Sequence, residues 1–215
     1  PNIVHGVNHD KFDIENEKLF SAASCTTNAI IPILQVIENS LEIENGHIET
    51  IHAYTNDQNL LDNYHSKYRR GRPAALNMVI TETGAAKAVA KIIPKLKGKL
   101  TASAVRVPTP NVSLAILKLR VKKETSIEEV NKIMKDAAMK GDLVEQIQYS
   151  YSNETVSSDI VGNSCATVFD SPATIVGASK KDIILYSWYD NEYGYSCQVV
   201  RLAKHITNVV RLKYY

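Results

Sequence analysis

Cys25 lies among the hydroxyls of Ser24, Thr26 and Thr27, where an extended run gives way to Ala29-Ile30-Ile31-Pro32-Ile33-Leu34. Apolar residues in that spacing predict a buried helix with Cys25 near its start. Free N–H groups and the macrodipole at a helix N-terminus stabilise a thiolate, the form of cysteine that attacks carbon. An arbitrary cysteine is more often a packed, inert side chain, but small hydroxylated neighbours leave room here for a substrate. His52 follows 27 residues later, at the end of the β-branched run 48–54. A strand after the helix can return His52 to the helix N-terminus, where an imidazole can pair with the thiolate and move a proton. Taken alone, His52 reads equally well as a satisfied core histidine.

Three further features point to an anion. Thr83-Gly84 opens a predicted helix over 84–93 that Pro94 ends, and a helix N-terminus is a ready anion site. Arg106 is a charge inside an apolar strand and needs a partner or a ligand. Arg72 lies in a long polar and basic stretch, 55–80, of the kind that is usually functional or disordered. Each is common alone; beside a nucleophile they suggest a small phosphorylated substrate. Arg69 and Arg70 read as surface pairs, Cys165 as packed in a strand and Cys197 as structural in the last helix.

The elements that must position these residues follow from the pattern. Residues 3–7 read as a short strand, 8–17 as a polar turn and Asn45-Gly46 as a turn before the strand that ends in His52. Pro32 is compatible with the first helix only in its early turns. Strands are expected at 100–107 and 112–121, with Pro108-Thr109-Pro110-Asn111 turning between them. Ser126-Ile127-Glu128-Glu129 is a capping box, followed by an apolar face of Ile127, Val130, Met134 and Ala137. Short strands near 165–169, 174–178 and 183–189 precede an amphipathic helix over 194–209. One-sided strands beside a few helices give an α+β fold, a mostly antiparallel sheet covered by helices on one face.

Composition narrows the classes. Of 215 residues, 44% are hydrophobic and 22% charged, enough for a normal core. A net charge of +2 is too small for a nucleic-acid footprint, and no apolar run is long enough for a bilayer span, so neither nucleic acid nor membrane is an expected partner. Three cysteines without a CxxC pair argue against a disulfide framework or a zinc site and fit reduced thiols in the cytoplasm. No GxGxxG dinucleotide fingerprint occurs.

The run Ser21-Ala22-Ala23-Ser24-Cys25-Thr26-Thr27-Asn28 resembles the active-site signature of the glyceraldehyde-3-phosphate dehydrogenases. The resemblance covers nearly the whole chain and continues in family order. It takes in Gly6-Val7-Asn8-His9, His52-Ala53-Tyr54-Thr55, Arg69-Arg70-Gly71-Arg72, Thr83-Gly84-Ala85-Ala86, Arg106-Val107-Pro108-Thr109-Pro110-Asn111, Ser157-Ser158-Asp159 and Trp188-Tyr189-Asp190-Asn191-Glu192. It implies that Cys25 forms a thioester with His52 as base. Thr55 and Arg106 would hold the substrate phosphate, and Ser24, Thr26, Thr83 and Gly84, with Arg72 nearby, the inorganic phosphate. Asn191 would bind the carboxamide of NAD, NADP being possible, and stretch 55–80 would pack on a neighbour in a homotetramer.

The same resemblance implies that residues 1–24 are the tail of a nucleotide-binding domain, 25–190 the catalytic domain and 191–215 a helix that docks on the nucleotide-binding domain. On this reading the chain is a catalytic-domain fragment, inactive by itself as a dehydrogenase because the front half that holds the cofactor is absent. Erythrose-4-phosphate dehydrogenase, which typically has another residue at the second proline of this stretch, is disfavoured by Pro110. A non-catalytic, oligomerising fragment is the alternative from another class.

Overall fold

A computed structural model describes residues 1–209; Tyr214-Tyr215, which carry no signal in the sequence, lie outside the described residues. The first helix, α1 (Cys25–Leu41), is almost wholly buried, with Ile30, Ile31, Ile33 and Leu34 fully out of solvent. Pro32 sits eight residues into it rather than in its early turns. An interior proline costs a helix about 3 kcal/mol, whereas each fully buried isoleucine or leucine returns roughly 1.5–3 kcal/mol, so burial of its neighbours outweighs the lost bond.

Strand β1 (Ile43–Ala53) runs straight back along α1. The reversal at Glu42, whose φ is 59°, is held by the buried Glu38 carboxylate, which accepts from Ile43 N–H at 2.7 Å. Asn45-Gly46 is therefore not a turn; it lies inside β1, at a register shift between Ile43 and Asn45. Gly46 serves close approach, because a Cβ there would stand 2.6 Å from the Lys118 carbonyl oxygen.

The remaining elements are β2 (Val79–Thr81), α2 (Ala85–Ile92), β3 (Leu100–Val107), β4 (Ser113–Val121), α3 (Ile127–Met139), β5 (Ile147–Ser150), β6 (Thr167–Asp170), β7 (Ile175–Val176), β8 (Asp182–Tyr189) and α4 (Tyr193–Ile206). They form one eight-stranded sheet in the order β2-β3-β1-β4-β8-β6-β5, with β7 also paired to β8. The β1–β3 and β5–β6 pairs are parallel; the other pairs are antiparallel. The expected α+β class and mostly antiparallel sheet hold. Strands β3 and β4, consecutive in sequence, do not pair; β1 lies between them. Helices α1, α2 and α3 share one core with the inward residues Ile48, Leu117, Leu119 and Leu185 of the sheet. The opposite face carries the half-buried Ile51, Leu114, Ile116, Tyr186 and Trp188.

Residues 3–7 are not a strand: among the described residues the pairing here is one isolated bridge, Asn2 to Ser21. The Asn8 side chain takes the place of a neighbouring strand, accepting from Val4 N–H at 2.7 Å and donating to the Asn2 carbonyl at 3.0 Å. Gly6, at φ 82°, then turns the chain. At α3, Ser126 caps Glu129 N–H at 3.2 Å, but the Glu129 carboxylate takes the Thr125 hydroxyl at 3.0 Å instead of closing the box. Val130, Met134 and Ala138 are the buried residues of that helix, while Ile127 is exposed.

Candidate active site

An α-helix of 17 residues is about 25 Å long, and the strand from Ile43 to His52 covers about 30 Å. The helix N-terminus and the strand's C-terminal end therefore meet. Cys25 Sγ lies 3.6 Å from His52 Nε2. His52 Nδ1 lies 2.7 Å from the Ala53 carbonyl, which only accepts, and 3.2 Å from Arg106 Nη1, which only donates; the shorter contact assigns the proton to Nδ1 and leaves the Nε2 lone pair to the thiol. The parallel register pairs His52 with Arg106 and sets both at the ends of adjacent strands. Arg106 Nη1 donates to the Ala53 carbonyl at 3.0 Å and to the Thr55 hydroxyl at 2.8 Å. Its Nε is buried without a partner. The phenol of Tyr189, fully buried, shares a 2.9 Å hydrogen bond with the Thr26 hydroxyl.

Burial dominates the electrostatics of the pair. It pushes the Cys25 thiol up, against the pull of the Thr26 hydroxyl and N–H and of the Arg106 charge. The helix N-terminus does not outweigh burial as the sequence had suggested; the resting thiol is protonated. Burial also holds His52 down to about 4, opposed by the Ala53 carbonyl and aided by Arg106. At neutral pH the resting pair is a thiol beside a free base, arranged for proton removal during attack.

The pair opens on a cleft of about 560 Å³. Ser24, Thr26, Thr83, Gly84 and Arg106, all named from the sequence, line it with Cys25 and His52. Ser24 is the cap of α1, its hydroxyl accepting from Thr27 N–H at 3.1 Å. The N-terminus of α2 opens on the same space, with Thr83 Oγ1 accepting from Ala85 N–H at 3.2 Å. A Cβ added at Gly84 would meet nothing within 4 Å, so the glycine leaves the approach to that helix end clear. Two helix N-termini and a half-buried arginine facing one cleft favour an anion.

Thr55 does not line the cleft and is joined to it through Arg106. Arg72 does not reach it: exposed, it pairs with Asp62 at 2.6 Å. The arginine that lines the cleft is Arg70, ion-paired with Asp57 and donating to Thr81 Oγ1 at 2.9 Å. The 3-10 turn Tyr68–Gly71 sends neighbouring arginines to different sides, which basic composition does not reveal. Lys67 and the buried, unpartnered Thr50 hydroxyl also line the cleft and carried no sequence signal. Asn191 lies outside its lining; its amide oxygen accepts from Ser113 Oγ at 2.9 Å.

The structure is thus an α+β domain with a thiol and an imidazole in contact beside a cleft whose helix N-termini and arginine side chains favour an anion. Residues 24–191 match the family model described as the glyceraldehyde 3-phosphate dehydrogenase C-terminal domain, and the chain belongs to that family. It is 55% identical over 208 residues to a "Glyceraldehyde-3-phosphate dehydrogenase-like protein" of Pseudomonas aeruginosa, covering 97% of this chain and 44% of that protein. Relatives named glyceraldehyde-3-phosphate dehydrogenase include one from Priestia megaterium, 47% identical over 95% of this chain and 60% of its own length. "Glyceraldehyde-3-phosphate dehydrogenase 1" of Bacillus subtilis is 48% identical with the same coverage. The chain spans about half the length of the curated relatives it matches.

Proposed function

We propose that the cleft carries the thioester chemistry of a phosphorylating glyceraldehyde-3-phosphate dehydrogenase. The observation that supports this most directly is the 3.6 Å contact between Cys25 Sγ and the unprotonated Nε2 of His52 beside a cleft that favours an anion. Cys25 attacks the aldehyde carbon of glyceraldehyde 3-phosphate as His52 takes the thiol proton. Arg106 and Thr55 hold the phosphate of the substrate. His52 hands the thiol proton to the new alkoxide oxygen, giving the hemithioacetal, and takes it back as hydride would leave the same carbon, so that an acyl group remains on Cys25. A bound nicotinamide, NAD or NADP, supplies the hydride acceptor. Asn191 fits a role in holding its carboxamide, because beyond the 3.4 Å contact with Glu192 its amide keeps a second N–H. Inorganic phosphate, held by Ser24, Thr26 and the α2 N-terminus at Thr83-Gly84, attacks the thioester and releases 1,3-bisphosphoglycerate. Arg72 joins that site only after leaving Asp62.

In the whole protein, residues 1–24 lead from a nucleotide-binding domain, 25–190 form the catalytic domain and the segment from 191 docks back on the nucleotide-binding domain. The exposed Leu60, Leu61, Tyr64, Tyr68, Leu76 and Met78 of stretch 55–80 support its packing against a neighbouring subunit of a homotetramer. A cytoplasmic location fits the three free thiols, and among the described residues no helix is long and apolar enough to cross a membrane.

The reverse of the phosphate step needs only residues of this chain. Acetyl phosphate incubated with it should acylate Cys25, read by intact mass, and arsenate or phosphate should discharge the adduct. Cys25→Ser should stay unmodified. A folded chain that takes up no acyl group, or takes it up equally as Cys25→Ser, would overturn the proposal.

A further inference from the structure

The N-terminal turn and the last turn of α4 meet at three imidazoles, none of which lines the cleft. Ring centroids of His5 and His9 are 4.5 Å apart, those of His9 and His205 4.8 Å, and those of His5 and His205 6.0 Å. One ring nitrogen of each lies within 4.8 Å of one from each of the others, and all three residues are half-buried. We infer that His5, His9 and His205 bind one divalent transition-metal ion of the zinc class.

The surroundings of each ring suit ligation. A metal-bound histidine gives its other N–H to a carbonyl, a carboxylate or a side-chain oxygen, which fixes the ring and its tautomer. His205 Nε2 lies 3.2 Å from the His9 carbonyl and must carry the proton, so Nδ1 keeps its lone pair. His5 Nδ1 faces the Gln146 amide at 3.3 Å, while Gln146 Oε1 is buried with no partner. A half-turn of that amide sets Oε1 on His5 Nδ1–H and frees His5 Nε2 for the metal. His9 Nε2 lies 3.3 Å from the Asp10 carboxylate, and its Nδ1 accepts from Gly6 N–H at 3.1 Å. His9 therefore ligates through Nδ1, with the ion taking the place of that N–H. Arg201, the neighbouring cation, is itself paired with Glu145 at 3.7 Å.

Neutral imidazole is the ligating form. Three imidazoles suit zinc, cobalt, nickel or copper. A tetrahedral zinc ion, at about 2.1 Å from each nitrogen, sets those nitrogens about 3.4 Å apart, so the rings close by roughly an ångström. A fourth position stays open to water. The ion would clip α4 to the start of the chain, joining residues 196 positions apart.

The test is zinc titration by calorimetry of the chain carrying Cys25→Ser, which removes the cleft thiol as a competing ligand. One zinc per chain is expected, and His5→Ala or His205→Ala should each weaken binding by about tenfold or more. Cobalt should give the visible bands of a tetrahedral nitrogen site without thiolate charge transfer. Zinc should also protect these histidines of the unmutated chain from diethylpyrocarbonate, a reading that does not depend on how the variants fold. Unchanged zinc affinity in a folded His5→Ala or His205→Ala chain would overturn the inference. So would a thiolate-dominated cobalt spectrum, which assigns the ion to Cys165 or Cys197, or an absence of protection.

Discussion

Replacing His52 by Gln removes the base from the thiol while keeping a polar side chain of similar reach. Its effect on Cys25 can be worked from the site. The thiol's ordinary pKa is 9.0 and burial raises it. Without a base, attack must wait for ionisation, and at pH 7 fewer than about one molecule in a hundred is then a thiolate. With Nε2 at 3.6 Å, the proton leaves during attack and that waiting is removed. The loss expected for His52→Gln is therefore at least about 10²-fold, within the 10²–10⁴-fold span of acid–base catalysis. Iodoacetamide alkylation of Cys25, followed by mass at peptide level, reads it without cofactor or substrate. The parent rate should be flat from about pH 5 to 8, because His52 is already unprotonated above about 4. The variant rate should climb about tenfold per pH unit across the same range. Equal rates with equal pH slopes in two folded proteins would refute the reasoning and leave His52 as a core residue that happens to touch sulfur.

Other outcomes follow from the same coordinates. Arg106→Met should weaken binding of glyceraldehyde 3-phosphate by about 10–100-fold, the span of a charge-assisted hydrogen bond, with little change in melting temperature; calorimetry measures both the binding and its salt dependence. Gly46→Ala should destabilise the fold by about 1–3 kcal/mol in urea unfolding, because the added methyl meets the Lys118 carbonyl at 2.6 Å. His52 has its folded pKa depressed from 6.5 to about 4, so the unfolded chain binds the extra proton first. Stability is then full above about pH 6.5 and falls toward pH 4, by about 3 kcal/mol from this group. In urea unfolding followed from about pH 7 to pH 4, His52→Gln should flatten that acid limb; an unchanged limb would show that other groups set it.

The sequence reading named residues that the fold brings together where local pattern and chain geometry coincide. Cys25 and His52 were legible because one apolar helix followed by one strand has a single way to bring its two ends together. Arg106 was legible as a charge in an apolar strand, although its pairing with His52 depends on a parallel register that no local pattern contains. Asn45-Gly46 misled because its composition matches a turn, while the glycine is there for the backbone of β4 to pass closely. Residues 3–7 have strand composition, but their partner is the side chain of Asn8. Strand β5 was missed: Ile147-Gln148-Tyr149-Ser150 is too short and polar to stand out, and it exists because β6 offers an edge. Arg70 and Arg72 exchange places relative to expectation because a single 3-10 turn decides which of them faces inward.

The position of β1 between β3 and β4 has a consequence for how the molecule forms. Thr26 and Tyr189, in contact beside the nucleophile, are 163 positions apart in the chain. Parallel pairing of β1 with β3 must close the long connection that holds α2 before any ladder bond repays the lost chain entropy. Such long-range topology belongs to the slower class of folders. The surroundings of the sulfur and imidazole are complete only once β3 and β8 have joined the sheet, so appearance of a fast-reacting thiol during refolding marks completion of the sheet rather than formation of the helix that carries it.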